Sequence, residues 1–329
     1  MAVLVTGGAG YIGSHTVVKL LEQGEDVVIV DNLELGHRSA VQGGKLCVGD
    51  LRDEAFLARV FAEHDIDGVI HFAAYTLVGE SMTDPGKYYH NNVYGTLCLL
   101  EQMKKSGVRH IVFSSTAATY GEPERVPIRE IDRTQPTNVY GETKLAMEKM
   151  IRWFGDAHGI TSISLRYFNA AGAHESGEIG EDHMPETHLI PLVLQVALGQ
   201  REAINVFGDD YPTEDGTCIR DYIHVCDLAD AHLAALNRLR GGGGSGVYNL
   251  GTGKGYSVKQ VIDVAREITG HAIPARIGPR RAGDPAVLVA SSELARRELG
   301  WTPKYERLED IVASAWKWHS RHPNGFGDR

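Results

Sequence analysis

Short apolar runs alternate with longer amphipathic stretches along the first half of the chain. The runs are rich in β-branched residues and apolar on both faces, which is typical of strands buried in a parallel sheet. They predict strands at Ala2–Thr6, Val27–Val30, Gly68–Phe72, Ile111–Ser114 and Ser162–Arg166. The stretches between them predict helices at Ile12–Gln23, Glu54–His64, Tyr89–Ser106 and Val139–His158. This alternation predicts an α/β fold with a Rossmann-type, doubly wound parallel sheet that helices cover on both sides.

The pattern is less regular in the second half of the chain. It predicts helices at Leu189–Leu198, Val225–Leu239, Ser257–Thr269, Ser291–Leu299 and Leu308–His319. A strand at Val247–Leu250 follows a Gly/Ser turn. We interpret residues 1–171 as a Rossmann domain to which residues 225–250 return, and residues 172–329 mainly as a smaller, mixed α/β C-terminal domain.

The composition of the chain disfavours some classes of binding partner. The 329 residues include 33 Lys and Arg against 43 Asp and Glu, a net charge of −10, and they contain no basic run. Such a chain is a poor candidate for binding nucleic acid or an anionic membrane surface. It also has no apolar run of about 18 residues and no basic region of a secretory signal, so we expect no membrane segment and a cytoplasmic location. The four cysteines form no C-x-x-C pair, which favours reduced thiols over zinc or disulfides.

A glycine-rich turn joins the first predicted strand to the first predicted helix. Gly7 allows a tight turn, Gly10 lets the backbone approach a pyrophosphate, and Gly13 packs the helix against the strand. The helix N-terminus then offers free N–H groups to phosphate oxygens. Asp31 ends the second strand 18 residues after Gly13, where a carboxylate binds ribose hydroxyls and repels a 2′-phosphate. A tight turn alone is the alternative, but strand, helix and acid together predict NAD as the cofactor.

Tyr140 and Lys144 lie four residues apart on the predicted helix Val139–His158, so their side chains share one face. A lysine ammonium and a cationic nicotinamide ring both favour the phenolate, which makes Tyr140 a candidate base near neutral pH. A solvated helix face is the alternative for such a pair taken alone. Thr116 follows the predicted strand Ile111–Ser114 at its ligand-facing end, where its hydroxyl can pass a substrate proton to Tyr140.

These features, in this order, resemble the extended, nucleotide-sugar branch of the short-chain dehydrogenase/reductase superfamily. Longer strings narrow the resemblance to the UDP-glucose 4-epimerase family over nearly the whole chain. The strings are His71-Phe72-Ala73-Ala74, Arg166-Tyr167-Phe168-Asn169, Phe207–Thr217 and Arg220-Asp221-Tyr222-Ile223-His224-Val225. The resemblance implies reversible 4-epimerisation of a UDP-hexose through a 4-keto intermediate on tightly bound NAD. It also implies a homodimer, which would pair through the helices Tyr89–Ser106 and Val139–His158.

The resemblance assigns roles to individual residues as well. Tyr140 corresponds to the proton acceptor, Thr116 to the hydroxyl beside it, and Lys144 to the lysine that acts with them. NAD contacts are implied at Gly7, Gly10, Tyr11, Ile12, Gly13, Asp31, Asn32, Asp50, Leu51, Phe72, Ala73, Ala74, Asn91, Tyr140, Lys144 and Phe168. UDP-hexose contacts are implied at Thr116, Asn169, His188, Leu189, Phe207, Arg220, Tyr222, Arg281 and Asp284. Arg220 and Arg281 suit a diphosphate because a guanidinium presents a fixed fork of donors; ordinary surface ion pairs are the alternative.

Three positions depart from the family pattern. Thr76 stands where a lysine often reaches toward the cofactor, and His188 stands where asparagine is often found near the sugar. Val287 lies where side-chain size influences whether N-acetylated sugars fit, so UDP-N-acetylhexosamines are candidate substrates. His183 and His188 are five residues apart, and we interpret both as solvated loop positions and not as a metal site.

Three other functions share parts of this pattern. A nucleotide-sugar 4,6-dehydratase needs a further acid–base pair, commonly placed directly after the active-site Thr, whereas Thr116 is followed by Ala117 and Ala118. A net dehydrogenase, which releases NADH, is excluded less firmly. A regulatory NAD-binding module with a decayed site disagrees with the presence of Thr116, Tyr140 and Lys144.

Overall fold

The computed structural model describes residues 1–281 and 284–328. The strands are β1 (Ala2–Thr6), β2 (Asp26–Asp31), β3 (Lys45–Val48), β4 (Ile66–His71), β5 (His110–Thr116), β6 (Thr161–Tyr167), β7 (Asn169–Ala171), β8 (Ile204–Phe207), β9 (Ile219–His224), β10 (Gly246–Leu250), β11 (Gly255–Ser257), β12 (Ala275–Gly278) and β13 (Val287–Leu288). The helices are α1 (Tyr11–Glu22), α2 (Glu54–Glu63), α3 (Val78–Thr83), α4 (Pro85–Tyr88), α5 (Gly95–Ser106), α6 (Val139–His158), α7 (Leu189–Ala197), α8 (Val225–Arg240), α9 (Val258–Thr269), α10 (Glu293–Leu299) and α11 (Leu308–Arg321). Within these described ranges, no helix combines the length and the apolar character needed to cross a bilayer.

Seven parallel strands form the large sheet, in the order β3-β2-β1-β4-β5-β6-β10. The strand order reverses between β1 and β4, and ligands of such sheets bind outside the carboxyl ends of the strands at this switch point. This topology confirms the predicted doubly wound sheet. The structure also places two elements of the second half here, because β10 pairs with β6 and α8 packs against α1.

The two faces of the large sheet are buried in separate apolar layers. Val3 and Val5 of β1 pack with α1 and α8, whereas Leu4 points into the layer with α2, α5 and α6. All three side chains are fully buried. Burial of such a side chain stabilises the fold by roughly 1.5–3 kcal/mol, and burial on both faces explains why the strands are continuous apolar runs.

The smaller second lobe is built around β9. This strand pairs with β7, β11 and β13, while β8 and β12 form a separate two-stranded sheet. Helices α7, α9 and α11 pack together over these strands in one apolar cluster. The sequence pattern predicted none of the short strands β7, β8, β9 and β11–β13, because runs of two to six residues with polar members carry too little periodicity.

The predicted single helix Tyr89–Ser106 is divided in the structure. Residues Tyr89–Tyr94 form a π-helical segment, and α5 begins only at Gly95. Asn92 lies fully buried inside this segment, where it accepts the N–H of Tyr75 at 2.8 Å and donates to the carbonyl of Tyr75 at 3.1 Å. The wider turn places Asn91 on the wall of the cleft described below.

Candidate active site

One cleft of about 1170 Å³ lies between the carboxyl edge of the large sheet and the second lobe. Ligand pockets for single small molecules typically measure about 300–1,000 Å³, so this cleft is large enough for a dinucleotide and a second ligand. All sixteen predicted NAD contacts line it, from Gly7 to Phe168. Thr116, Asn169, His188, Arg220, Arg281 and Asp284 of the predicted substrate contacts also line it. Their individual contacts with ligands stay predictions.

The glycine turn has the backbone geometry that a pyrophosphate site requires. Gly7 has φ +71, and a Cβ atom there would lie 2.7 Å from the N atom of Ala73. A Cβ atom at Gly13 would lie 2.1 Å from the carbonyl oxygen of Gly7, so the helix and the turn touch directly. Gly10 stands at the N-cap of α1 without a side chain to occupy the first-turn N–H groups. These groups face the cleft, which fits the diphosphate of NAD.

Asp31 connects the glycine turn to the ribose end of the cleft. It is 8% exposed, and its carboxylate accepts the N–H of Ala9 at 3.0 Å and that of Leu33 at 2.9 Å. Burial raises the pKa of this carboxyl, while the two backbone donors lower it. The remaining lone pairs of the carboxylate face the cleft and can accept ribose hydroxyls.

We expect Asp31→Asn to weaken NAD binding by about 10–100-fold, because a charge-assisted hydrogen bond contributes roughly 1.5–3 kcal/mol. The loss of negative charge should also reduce the preference for NAD over NADP. Calorimetric titration of NAD-free protein with each dinucleotide measures both effects. Asp26→Asn is the control, since Asp26 is exposed at the opposite end of β2. Equal affinities in the two variants would contradict the ribose role.

Helix α6 places two of the predicted catalytic side chains. Asn138 caps the helix by accepting the N–H of Gly141 at 2.8 Å, so Tyr140 lies in the first turn. Lys144 lies one turn further on the same face, as the spacing predicted. The positive end of the helix dipole is therefore next to the phenol, where it favours a negative charge.

Tyr140, Thr116 and Lys144 meet at the carboxyl end of β5. The phenol of Tyr140 interacts with the side chain of Thr116, the last residue of that strand. Lys144 is 2% exposed, and its Nζ donates to the carbonyl oxygen of Ser114 at 2.8 Å. The bond to Ser114 uses one of three ammonium donors, which leaves two for oxygen atoms of a ligand.

The prediction that Tyr140 is a base near neutral pH includes the nicotinamide ring, whereas the pKa described here is that of the chain without NAD. Burial raises the pKa of Tyr140 to about 12, and the hydrogen bond from Thr116 only partly lowers it. Burial also lowers the pKa of Lys144 to about 7, although Glu148 raises it. The ammonium is therefore a weak source of positive charge at neutral pH. The charge that favours the phenolate must come mainly from the helix end and from the nicotinamide ring.

The second lobe contributes positive charge to the opposite wall of the cleft. Arg220 is paired with the carboxylate of Asp284 and donates to the carbonyl of Ile219 at 2.8 Å. The guanidinium carbon of Arg281 lies 4.0 Å from the centre of the Phe207 ring, a cation–π contact that orients it. Two oriented guanidinium groups on one wall suit the predicted binding of a diphosphate.

Three predicted substrate contacts lie outside the cleft lining. Leu189 packs against the apolar cluster of the second lobe, and Tyr222 is buried within it. Phe207 lies under Arg281 and supports it from behind. Val287 is also not among the lining residues, although its neighbour Leu288 is, and its influence on substrate size stays a prediction.

His183 and His188 lie in the loop before α7, as predicted, with side chains 31% and 46% exposed, but each is also close to two carboxylates. The Nδ1 atom of His183 lies 3.2 Å from Glu181 and 3.7 Å from Glu186, and that of His188 lies 2.7 and 3.2 Å from the same two carboxylates. Burial lowers the pKa of His183, but the two carboxylates raise it to about 9. Glu181 and Glu186 line the cleft and were missed from the sequence. A repeated Glu-x-His pattern five residues apart is the signal that could have identified them.

A doubly wound sheet with a dinucleotide turn and a Thr–Tyr–Lys set defines the class of NAD-dependent Rossmann enzymes. The sequence profile of one family, described as the NAD dependent epimerase/dehydratase family, matches residues 3–251. The chain belongs to this family, which confirms the predicted cofactor and the predicted resemblance.

Full-length relatives are closely similar to this chain. A UDP-glucose 4-epimerase of Halalkalibacterium halodurans is 62% identical over 99% of this chain and 98% of its own length. A crystal structure of a UDP-glucose 4-epimerase is 58% identical, with a TM-score of 0.98 and 99% coverage of both chains. The structure of UDP-glucose 4-epimerase from Bifidobacterium longum in complex with NAD+ and UDP is 46% identical, with a TM-score of 0.93 and coverage of 99% of this chain and 100% of its own.

Proposed function

We propose that this chain catalyses the reversible 4-epimerisation of UDP-galactose and UDP-glucose through a 4-keto sugar, with NAD held throughout the cycle. The observation that carries the proposal is a single cleft in which Tyr140 and Thr116 face Arg220 and Arg281 of the second lobe. Relatives at 62% and 58% identity bear the name of this reaction. The chain is thus an isomerase of galactose metabolism.

Three groups of this chain would hold NAD. The N–H groups of the turn at Gly10 would bind the diphosphate, Asp31 the adenosine ribose, and the two free donors of Lys144 further hydroxyls. When bound, NAD accepts a hydride from the sugar carbon and returns it to the opposite face.

Tyr140 is the proposed base. As a phenolate it takes the proton of the C4 hydroxyl, directly or through Thr116, whose side chain interacts with it. The C4–H bond breaks as a hydride while the O–H bond breaks as a proton, so C4 becomes a ketone. On return, Tyr140 gives the proton back to the C4 oxygen. Between these two steps Tyr140 is a neutral phenol. Its place in the first turn of α6 stabilises the phenolate that exists before the first step and after the second.

Arg220 and Arg281 are the proposed anchors of the UDP half. Epimerisation requires the hexose to turn over while the rest of the substrate stays bound. The charged guanidinium groups on the second lobe would hold the UDP half. Ala117 and Ala118, which line the cleft beside Thr116, are neutral and would leave the hexose free to turn. The same two alanines disfavour a 4,6-dehydratase, which needs an acid–base pair there.

We expect Arg220→Ala to raise the KM for UDP-glucose by about 10–100-fold, because a hydrogen bond to a charged group is worth roughly 1.5–3 kcal/mol. The kcat should change much less, since the diphosphate is bound equally in the ground and transition states. Steady-state kinetics of protein that retains NAD test this. The control is Arg276→Ala, which removes an exposed guanidinium paired with Glu202 at 2.9 Å. A fall in kcat at unchanged KM would contradict the anchoring role.

The reaction itself is tested by giving the purified protein UDP-galactose without added NAD and following the anomeric proton signals by NMR. Appearance of UDP-glucose without accumulated NADH supports the proposal. Accumulated NADH would instead indicate a net dehydrogenase. No conversion, even with NAD supplied, would contradict the proposed substrate. UDP-N-acetylglucosamine as a second substrate tests the predicted tolerance of N-acetylated sugars.

We further propose that the protein acts as a cytoplasmic homodimer paired through α5 and α6. The side chains of Tyr89, Tyr94 and Trp153 in this region are 44%, 39% and 62% exposed, an unusual set of large aromatic groups on one surface. All four cysteines are free, which suits a reducing compartment. Light scattering of the wild-type protein and of Trp153→Glu tests the dimer. A charged side chain in the proposed interface should give a monomer.

A further inference from the structure

The segment from Glu181 to His188 brings four potential metal ligands together at the cleft wall. One ligand atom from each of Glu181, His183, Glu186 and His188 lies within 4.8 Å of every other. His188 is also a predicted contact of the UDP-hexose, but the proton and hydride transfers proposed above use none of these four side chains. We propose that these four side chains bind one divalent transition-metal ion, for which Zn²⁺ is the best fit.

The spacing of the ligand atoms carries this proposal. The His183 Nδ1 atom lies 3.2 Å from Glu181 Oε1 and 3.7 Å from Glu186 Oε2, and the His188 Nδ1 atom lies 2.7 Å from Glu181 Oε1 and 3.2 Å from Glu186 Oε1. Zn²⁺ binds nitrogen and oxygen ligands at about 2.0–2.2 Å, so the edges of a tetrahedral site measure about 3.3–3.6 Å. The observed distances scatter around that value, and small side-chain rotations would equalise them.

Two atoms of the cluster also lack satisfactory partners in the protein. Glu181 Oε1 and His183 Nδ1 are buried from solvent, and neither makes a hydrogen bond of normal geometry. The Glu181 side chain is 3% exposed and points into the cluster. A buried carboxylate oxygen without an aligned donor is costly, and a metal ion would satisfy it and the imidazole nitrogen together.

Neighbouring groups hold the ligands in place. Glu186 Oε1 accepts the backbone N–H groups of Thr187 at 2.7 Å and His188 at 2.8 Å, which fixes the carboxylate and leaves Oε2 toward His183. The carbonyl of Glu181 accepts the indole N–H of the fully buried Trp318 at 3.1 Å. Such outer-shell bonds are typical of metal sites, because they orient the ligands before the ion arrives.

The chemistry of the ligand set selects the ion. Two imidazole nitrogens with two carboxylate oxygens suit Zn²⁺, Co²⁺ or Ni²⁺, whereas Mg²⁺ and Ca²⁺ prefer oxygen alone. Two carboxylates also balance the charge of one divalent ion when both imidazoles are neutral. Four protein ligands complete a tetrahedron, so the ion would stabilise the segment that leads into α7 and would not itself act on the sugar.

The test uses the full-length protein with NAD, freed of metal by chelator and then titrated with CoCl₂ and ZnCl₂. We expect one ion per chain, the intense visible absorption of tetrahedral Co²⁺, displacement by Zn²⁺, and a melting temperature raised by bound Zn²⁺. His183→Ala should weaken binding about 100-fold or more, as should Glu186→Gln, which keeps the side-chain shape. His174→Ala is the control, because its imidazole lies 3.8 Å from a single carboxylate, that of Glu22.

The competing explanation is a purely ion-paired cluster of two imidazolium groups and two carboxylates. In that case uptake would be substoichiometric, or His183→Ala and Glu186→Gln would bind Co²⁺ as well as wild type does. Either result overturns the proposal. If a variant fails to fold, the Co²⁺ spectrum of the wild-type protein decides, because an octahedral, solution-like spectrum also overturns it.

Discussion

Tyr140→Phe should lower kcat by about 100- to 10,000-fold, the usual contribution of general acid–base catalysis. The variant removes only the hydroxyl that interacts with Thr116 and keeps the ring in the first turn of α6. NAD content and the KM for UDP-glucose should therefore stay close to wild type. Stopped-time NMR assays with UDP-galactose measure the loss.

Tyr167→Phe is the matched control for this prediction. Tyr167 also lines the cleft with a buried phenol, but its hydroxyl is bonded to Ser114 and not to Thr116. We expect it to keep most of the activity. If both variants lost activity equally, the phenol of Tyr140 would have no special role; unimpaired turnover in Tyr140→Phe would refute the base assignment directly.

The protonation of Tyr140 should depend on the cofactor. In the chain alone the pKa of Tyr140 is raised to about 12, so the group is a neutral phenol at pH 7. The positive nicotinamide ring of NAD⁺ favours the phenolate and should lower this pKa, while NADH should not. Ultraviolet difference titration of wild type against Tyr140→Phe, with each form of the cofactor, measures the shift. An unchanged pKa would mean that Tyr140 is not the base.

Glu148→Ala should destabilise the fold by about 3–5 kcal/mol, because it leaves the buried guanidinium of Arg166 unpaired. Glu148 is 8% and Arg166 5% exposed, and the pair is bidentate, with Nε–Oε1 at 2.9 Å and Nη2–Oε2 at 2.5 Å. Ser115 also donates to Glu148, so the carboxylate joins α6 to both β5 and β6 beneath the active site. Urea unfolding at a fixed NAD concentration measures the change.

The control for Glu148→Ala is Glu202→Ala, which removes the partner of Arg276 on the surface. That side chain is 86% exposed, and an exposed ion pair contributes at most about 1 kcal/mol. The double variant Glu148→Leu with Arg166→Met should be less destabilised than Glu148→Ala, since it leaves no buried charge. Equal losses in all three variants would contradict the account of an unpaired cation.

The sequence alone determined the parts of this protein that depend on local periodicity. The doubly apolar runs predicted five strands of the large sheet, and the spacing of Tyr140 and Lys144 predicted one shared helix face, because helix and strand repeats are short-range properties. The edge strand β3 and the short strands of the second lobe were missed, since their pairing energy comes from partners far away in the chain.

Only the tertiary structure decided how side chains from distant segments affect one another. It buried Tyr222 in the apolar cluster of the second lobe, packed Leu189 against that cluster, and placed Leu288 on the cleft wall. It also determined how far burial raises the pKa of Tyr140 in the chain without NAD, because desolvation depends on what surrounds a group in space. The contact of Glu181 with His188 also depends on the tertiary structure. The spacing of residues in the sequence indicates which side chains can come close, and the packing of the folded chain determines which of them do.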